Sequence, residues 1–159
     1  DKGAHTYGGK RTKRTESMYG MPGTTYIYLI YGMYNCLNAV TREEGTPEAV
    51  LIRAVEPMEG LEEMSFNRFK KSLSELKKRE IRNLTNGPGK LCMALDIDRS
   101  LDREDLLGDI IYIIEPEIKE KFSIIESKRV GIDYAEEAKD YLWRFYIDES
   151  EYVSIKDKK

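Results

Sequence analysis

Residues 24–40 read TTYIYLIYGMYNCLNAV, which is the densest run of strand-forming residues in the chain. β-Branched and aromatic residues at this density favour strands over helix. Gly32-Met33 suits a two-residue type II′ loop, in which glycine takes the positive φ at the first central position. The sequence therefore predicts a β-hairpin with strands at residues 24–31 and 34–40.

The tip of the predicted hairpin carries Tyr31, Met33 and Tyr34. Apolar side chains exposed at a tip are useful when they insert into a partner protein or into the base stack of a duplex. The alternative is that the tip packs against a neighbouring loop, which is the commoner role of aromatic-rich hairpins. The residues alone leave both interpretations open.

The composition has the ordinary balance of hydrophobic and charged residues of a soluble globular protein. Of the 159 residues, 40% are hydrophobic and 35% are charged, which suits one domain spanning residues 1–159. No apolar run reaches membrane-spanning length, so no membrane contact is expected. Cys36 and Cys92 both lie in apolar contexts, which indicates buried reduced thiols in an intracellular protein, in the cytoplasm and nucleoid or in the nucleus. The alternative is a disulfide between them. With a single histidine and no close cysteine pair, no metal site is expected, a structural zinc site least of all.

The rest of the chain predicts a mixed α+β fold. Strands and helices do not alternate regularly, which favours a single domain with a largely antiparallel, curved sheet, flanking helices and a protruding hairpin. The predicted elements are strands at 49–55, 110–114, 122–125, 128–132 and 144–147, helical segments at 60–83 and 135–142, and a Gly/Pro turn at 86–90 that opens a short helix.

The charges are unevenly distributed along the chain, although the net charge is only −3. Residues 1–42 carry 6 Lys and Arg against 2 Asp and Glu, and residues 65–95 carry 8 against 2. Two basic blocks on an acidic chain are typical of a one-sided phosphate-binding face. The alternative is a set of solvated charges on unrelated faces.

Three features are candidates for contact with an anionic ligand. The cluster at residues 10–15 offers guanidinium, ammonium, hydroxyl and backbone N–H donors, although it could also be a plain surface loop. Arg53 interrupts the apolar run AVLIRAV, so its charge must line a cleft or form a structural ion pair. The turn at 86–90 could seat a phosphate beside Lys90, although a plain turn is as good an interpretation.

Several short motifs occur one after another along nearly the whole chain. They are Ala4-His5, Gly8-Gly9, the basic cluster at 10–15, Met18-Tyr19, Pro22-Gly23-Thr24, Tyr31-Gly32-Met33-Tyr34 with Asn38, Leu51-Ile52-Arg53-Ala54, Glu56-Pro57, Glu59-Gly60, Gly87-Pro88-Gly89-Lys90-Leu91-Cys92, Arg129-Val130-Gly131 and Arg144-Phe145-Tyr146. Together they closely resemble the alkyladenine (3-methyladenine) DNA glycosylase family.

The resemblance implies a monomeric base excision repair enzyme that needs no cofactor. Such an enzyme recognises alkylated or deaminated purines, including 3-methyladenine and hypoxanthine, in double-stranded DNA. It turns the damaged nucleotide out of the helix, because chemistry on a base cannot be done inside the stack. It then hydrolyses the N-glycosidic bond without cutting the strand. Tyr31 would be the wedge that fills the vacated space, with Met33 and Tyr34 beside it in the minor groove.

The resemblance also implies a base pocket. His5 and Tyr28 would stack on the extruded base, and Asn38 would sterically reject the amino group of normal guanine. Leu51 would line the pocket. Arg53 would help to hold the attacking water and a neighbouring phosphate.

The sequence departs from the family at its beginning. The family's general base is a glutamate in a Glu-Ala-Tyr segment shortly before the Ala-His motif, and that tyrosine is a third stacking wall. Asp1 and Glu16 are the only carboxylates before Glu43, and neither stands at the required spacing. We therefore expect the base in a segment upstream of Asp1.

Further residues are expected to contact the DNA backbone. The resemblance assigns this role, more weakly, to Thr12, Met18 and Lys90. Without a general base, the alternative function is a damaged-DNA binding protein that releases no base, and a third is a protein-interaction domain that uses the aromatic tip.

The predicted hairpin register conflicts with the predicted pocket. With a two-residue loop, Tyr28 pairs with Leu37, and Asn38 falls on the opposite face of the sheet. Both Tyr28 and Asn38 could then line one pocket only if the hairpin were bulged or sharply twisted near its base. An irregularity of that kind is therefore expected, and a regular ladder through residues 27–38 would count against this pocket.

Overall fold

The computed structural model describes residues 1–115 and 121–157. In these residues there are three α-helices and two small antiparallel sheets, which confirms the predicted α+β class. The strands are β1 (Thr25–Ile30), β2 (Tyr34–Val40), β3 (Ala49–Leu51), β4 (Ile124–Ser127) and β5 (Arg144–Ile147), and the helices are α1 (Leu61–Phe69), α2 (Lys78–Arg82) and α3 (Pro88–Ala94). One sheet has the order β1-β2-β3, and the other pairs β4 with β5. No helix among the described residues is long and apolar enough to cross a membrane.

The loop of the hairpin differs from the prediction. Ile30 pairs with Tyr34, so the loop has three residues, and the Met33 N–H donates to the Ile30 carbonyl over 3.2 Å. Tyr31 and Gly32 both have positive φ, 54° and 69°, as the central residues of a type I′ turn do. The predicted two-residue type II′ loop is therefore wrong, because Gly32 takes the second central position and Met33 becomes the extra residue.

The longer loop resolves the conflict between register and pocket. Tyr28 lies opposite Cys36, and Tyr26 lies opposite Asn38. Side chains at alternate positions share a face, so Tyr28 and Asn38 lie on the same side of the sheet. The ladder runs without a bulge from Thr25 to Ile30. The predicted irregularity is therefore wrong, because one additional loop residue moves β2 by one position against β1.

The opposite face of the hairpin forms the main apolar core. Ile27 and Leu37 pack against Leu91 and Cys92 of α3 and against Ile97. Both cysteines are buried free thiols, as predicted, and burial raises the pKa of Cys92 to about 11.

The helical segment predicted at 60–83 is interrupted. α1 ends where Lys70 adopts a left-handed φ of 56°, and α2 begins only at Lys78. Between them, the Ser72 N–H donates to the Glu75 carboxylate over 2.8 Å, which starts a separate short 3₁₀ turn. Met64 of α1 packs against Leu76, Leu84 and Ala94 in a second core cluster.

The predicted strands are confirmed unevenly. β5 has the predicted bounds, and β4 begins two residues later than predicted. The strand predicted at 49–55 covers only 49–51, and no strand forms at 110–114 or 128–132. A 3₁₀ helix replaces the helix predicted at 135–142. At 110–114 the pairing is reduced to a single bridge between Leu107 and Tyr112, and β-branched and aromatic residues form strands only where such pairing continues.

Candidate functional site

Three rings form a continuous aromatic wall on the face of the hairpin that lies away from α3. His5 comes from the N-terminal segment, and Tyr26 and Tyr28 come from alternate positions of β1. The His5 Nδ1 atom is 2.9 Å from the Tyr26 hydroxyl oxygen. The His5 and Tyr28 ring centroids are 4.5 Å apart with planes at 86°, and the two tyrosine rings are 5.4 Å apart. We call His5, Tyr26 and Tyr28 the aromatic wall.

This geometry determines how a flat base could bind. A base between two parallel rings needs about 7 Å between them, twice the contact distance of two carbon atoms. His5 and Tyr28 are perpendicular and in contact, so a base cannot fit between them. They therefore form one side of a site, where a flat base could stack on the face of only one of the two rings and would contact the edge of the other.

The aromatic wall is uncharged at neutral pH. Burial lowers the pKa of His5, and the nearby Arg14 guanidinium lowers it further. Burial raises the pKa of Tyr26 to about 12, and it also raises the pKa of Tyr28. The Tyr26 hydroxyl therefore stays protonated, and when it donates to Nδ1, His5 carries its hydrogen on Nε2. Because Tyr26 is only 2% exposed, His5 and Tyr28 are the rings of the wall that a ligand could reach, and they carry no net charge.

Two residues at the wall, Tyr26 and Arg14, were not predicted as site residues. Tyr26 could have been found, because it is two positions from Tyr28 on a strand and so shares its face. The Arg14 guanidinium lies 5.2 Å from the Tyr28 ring centroid and donates to the Leu29 carbonyl over 3.3 Å. In the sequence, Arg14 was indistinguishable from the other cations of the cluster at 10–15.

Asn38 and Leu51 extend the same face across β2 and β3. Asn38 is 6% exposed, and its side-chain amide donates to the Tyr26 carbonyl over 2.9 Å and to the Cys36 carbonyl over 3.2 Å. Leu51 is its partner on β3. The structure therefore brings Tyr28, Asn38 and Leu51 to one face, as their predicted roles require.

Arg53 lies two residues beyond Leu51 and is partly buried. Burial and the nearby Arg144 guanidinium both lower its pKa. Arg144 is held by the Ser127 hydroxyl over 2.6 Å and by the Lys128 carbonyl over 2.8 Å. Within the part of the chain that the structure describes, Arg53 has no hydrogen bond and no ion pair. Its charge is therefore available to an anion.

The hairpin tip projects into solvent. The side chains of Tyr31, Met33 and Tyr34 are 83%, 65% and 38% exposed. Core packing of the tip, the alternative interpretation of the sequence, is therefore wrong for Tyr31 and Met33. The base of the tip is held by α3, because the Cβ, Cγ and Cδ1 atoms of Tyr34 lie against Gly89.

The three residues predicted to contact the DNA backbone have different environments. Thr12 is exposed, and its backbone N–H donates to the Thr15 hydroxyl over 2.9 Å. The Lys90 ammonium donates to the side-chain oxygens of Asn83 and Asn86 over 3.0 and 2.7 Å, and these neutral partners leave its charge uncompensated. Met18 is 6% exposed in a core cluster, so its side chain is not available to a phosphate.

The two carboxylates of the N-terminal segment are both bound by arginines. Arg129 donates to both oxygens of Asp1, and Arg11 donates to both oxygens of Glu16. In residues 1–115 and 121–157, no group of three or more His, Cys, Asp and Glu side chains is placed to hold a metal ion.

Comparison with known proteins assigns the chain to the DNA glycosylases of base excision repair, hydrolases that bind damaged DNA. The model of one family, described as methylpurine-DNA glycosylase (MPG), matches residues 1–151. This chain belongs to that family.

Bacterial relatives support the assignment along almost the whole chain. A protein of Desulfitobacterium hafniense (strain Y51) named "Putative 3-methyladenine DNA glycosylase" is 64% identical over 156 residues, which are 98% of this chain and 76% of the relative. Proteins with the same name from Clostridium acetobutylicum and Clostridium tetani are 59% and 57% identical over 158 and 156 residues, and each is covered to 77%.

Proposed function

We propose that this protein acts as a monomer on double-stranded DNA, turns alkylated or deaminated purines such as 3-methyladenine and hypoxanthine out of the helix, and hydrolyses their N-glycosidic bond without cutting the strand. Tyr31 is the wedge, with Met33 and Tyr34 beside it in the minor groove. The extruded base lies against His5 and Tyr28 of the aromatic wall.

One observation carries the proposal: the wedge and the base site lie on the same strand and its turn. Tyr28 and Tyr31 are three residues apart, which is about 10 Å of strand. The ladder between β1 and β2 is continuous, so it holds the distance between the wedge and the base site. The exposed tip enters the duplex, and the aromatic wall lies beside the tip, where it binds the extruded base.

The uncharged rings of the aromatic wall suit the proposed substrates. A purine alkylated at N3 is cationic, and cations are attracted to the faces of aromatic rings. Its charge also makes it a good leaving group, so little acid catalysis is needed. Hypoxanthine is neutral and a poorer leaving group, so positioned water and electrostatic stabilisation must contribute more. Asn38 discriminates against guanine by occupying the space that its amino group needs, and Leu51 lines the pocket.

Arg53 holds a phosphate next to the extruded nucleotide and helps to position the attacking water. The support for this role is a partly buried guanidinium that has no anionic partner among the described residues. Thr12 and Lys90 contact the DNA backbone. The Lys90 ammonium is held only by neutral amide oxygens, so a phosphate would not have to displace a carboxylate.

The general base is proposed to be a glutamate upstream of Asp1. Both carboxylates of the N-terminal segment are bound to arginines, so neither is free to activate water. This same observation favours the second candidate function, a protein that binds damaged DNA and releases no base.

The test is to incubate the protein, in the full length that its gene encodes, with a duplex containing one inosine and then to treat the DNA with alkali. We expect free hypoxanthine, and strand cleavage at the inosine only after alkali. The same duplex with adenosine in place of inosine is the control. Tight, salt-sensitive binding without base release would favour the second function. A protein that neither binds the inosine duplex nor releases a base would contradict both candidate functions.

A further inference from the structure

We propose that Arg129, through its ion pair with Asp1, is a positioning residue that holds His5 in the aromatic wall. The inference rests on the proposed function of that wall. The pair joins residues that are 128 positions apart in the sequence, and it lies outside the group of side chains that would touch a base.

Arg129 and Asp1 form a bidentate ion pair with two hydrogen bonds. Arg129 Nη1 donates to one carboxylate oxygen over 2.6 Å, and Nη2 donates to the other over 2.7 Å. The two side chains are only 20% and 18% exposed. Nη2 also donates to the Ala138 carbonyl over 3.0 Å, and the guanidinium lies 5.3 Å from the Trp143 ring centroid. Parallel hydrogen bonds of this kind fix orientation as well as distance.

The pair is linked to His5 through a tight turn. The Gly3 N–H donates to the Asp1 carboxylate over 2.8 Å, and the Ala4 N–H donates to the Asp1 carbonyl over 3.1 Å. A Cβ atom on Gly3 would lie 3.3 Å from that carboxylate and 3.4 Å from both terminal nitrogens of Arg129. The backbone that leads into His5 is therefore pressed directly against the ion pair.

Other contacts of the N-terminal segment are weaker anchors. Lys2 donates to Glu136 and Glu137, but these carboxylates are 71% and 57% exposed, and exposed ion pairs contribute little. The Thr6 hydroxyl reaches the Pro47 carbonyl only at 3.5 Å. Of the ion pairs made by Asp1 and Lys2, the Arg129 pair is the one that is largely shielded from water.

The arrangement is also costly in one respect. The Nε atom of Arg129 is buried and has no acceptor in residues 1–115 and 121–157. A buried donor without a partner costs free energy. The guanidinium is therefore not arranged for maximal stability, which agrees with a role in holding the N-terminal turn in place.

The test compares Arg129→Gln and Asp1→Asn with the parent protein in its full length. Lys128→Gln is the matched control, because Lys128 is the neighbouring residue and its ion pair with Asp140 is 62% and 55% exposed. The first probe is a duplex containing 2′-fluoro-2′-deoxyinosine, whose glycosidic bond resists hydrolysis. The second is the same duplex with a tetrahydrofuran abasic site, which has no base for His5 to contact.

We expect both ion-pair variants to bind the fluoroinosine duplex roughly tenfold more weakly, because the aromatic wall is misplaced, and to bind the abasic duplex as the parent does. The control should match the parent on both probes.

Two outcomes would overturn the inference. Unchanged binding of both probes would mean that the pair does not position His5. An equal loss on both probes would mean that it only stabilises the fold. A parent protein that releases no hypoxanthine from the inosine duplex would instead contradict the proposed function itself, and the inference with it.

Discussion

At the scale of single residues, the site depends on keeping the aromatic wall neutral while cations surround it. His5 is partly buried beside Arg14, and both effects oppose its protonation. As the pH falls, the unfolded chain takes up its proton near the ordinary pKa of 6.5, before the folded protein does. The free energy of unfolding therefore decreases as the pH falls below about 6.5, and the decrease levels off below the folded-state pKa.

Arg14→Gln should raise the pKa of His5 towards 6.5, because it removes the nearby positive charge. The chain has one histidine, so a proton NMR titration of its imidazole ring is unambiguous. The variant should also lose less stability between pH 7 and pH 5 than the parent does, since the folded and unfolded pKa values are then closer.

Arg11→Gln is the matched control, because Arg11 belongs to the same basic cluster but is paired with Glu16. It should leave the titration of His5 unchanged. If Arg14→Gln leaves the pKa where it is in the parent, or lowers it, Arg14 does not act on the aromatic wall.

At the scale of secondary structure elements, the hairpin was predictable and its register was not. The density of tyrosine and β-branched residues identifies two strands around Gly32. A glycine at a tip fits the first central position of a type II′ turn or the second of a type I′ turn equally well. The turn type changes the length of the loop by one residue, and the loop length decides which side chains of the two strands share a face. Local sequence does not carry that information.

The contact between α3 and the hairpin gives a test at this scale. Gly89→Ala would place a Cβ atom 3.0 Å from Cβ and 3.2 Å from Cγ of Tyr34. The steric cost, about 1–3 kcal/mol, exceeds the gain of about 1 kcal/mol from alanine in a helix. We therefore expect a net loss of stability by urea unfolding.

A Tyr34→Gly background is the control for this prediction, because it removes both crowded atoms. There, the same Gly89→Ala change should raise the free energy of unfolding by about 0.5–1 kcal/mol. If Gly89→Ala changes the free energy of unfolding in the same direction in both backgrounds, Tyr34 does not limit the approach of α3.

At the scale of the whole molecule, the site combines segments that are distant in the sequence. The resemblance to a known family predicted that His5, Tyr28, Asn38 and Leu51 belong together, and the sheet brings the last three to one face. The ion pair between Asp1 and Arg129 was not predictable, because a charge pair that spans almost the whole chain leaves no local pattern. Burial of Met18 was also missed, since methionine is common both in cores and on binding surfaces.

The central claim is that Tyr31 enters the duplex and a nucleotide leaves it. The most direct test places 2-aminopurine, which fluoresces when unstacked, next to 2′-fluoro-2′-deoxyinosine in a duplex. Binding of the full-length protein should raise the fluorescence. Tyr31→Ser should abolish most of the rise, whereas Tyr112→Ser, at a tyrosine that is also exposed (58%), should keep it. An equal rise with Tyr31→Ser, or no rise with the parent protein, would contradict the account.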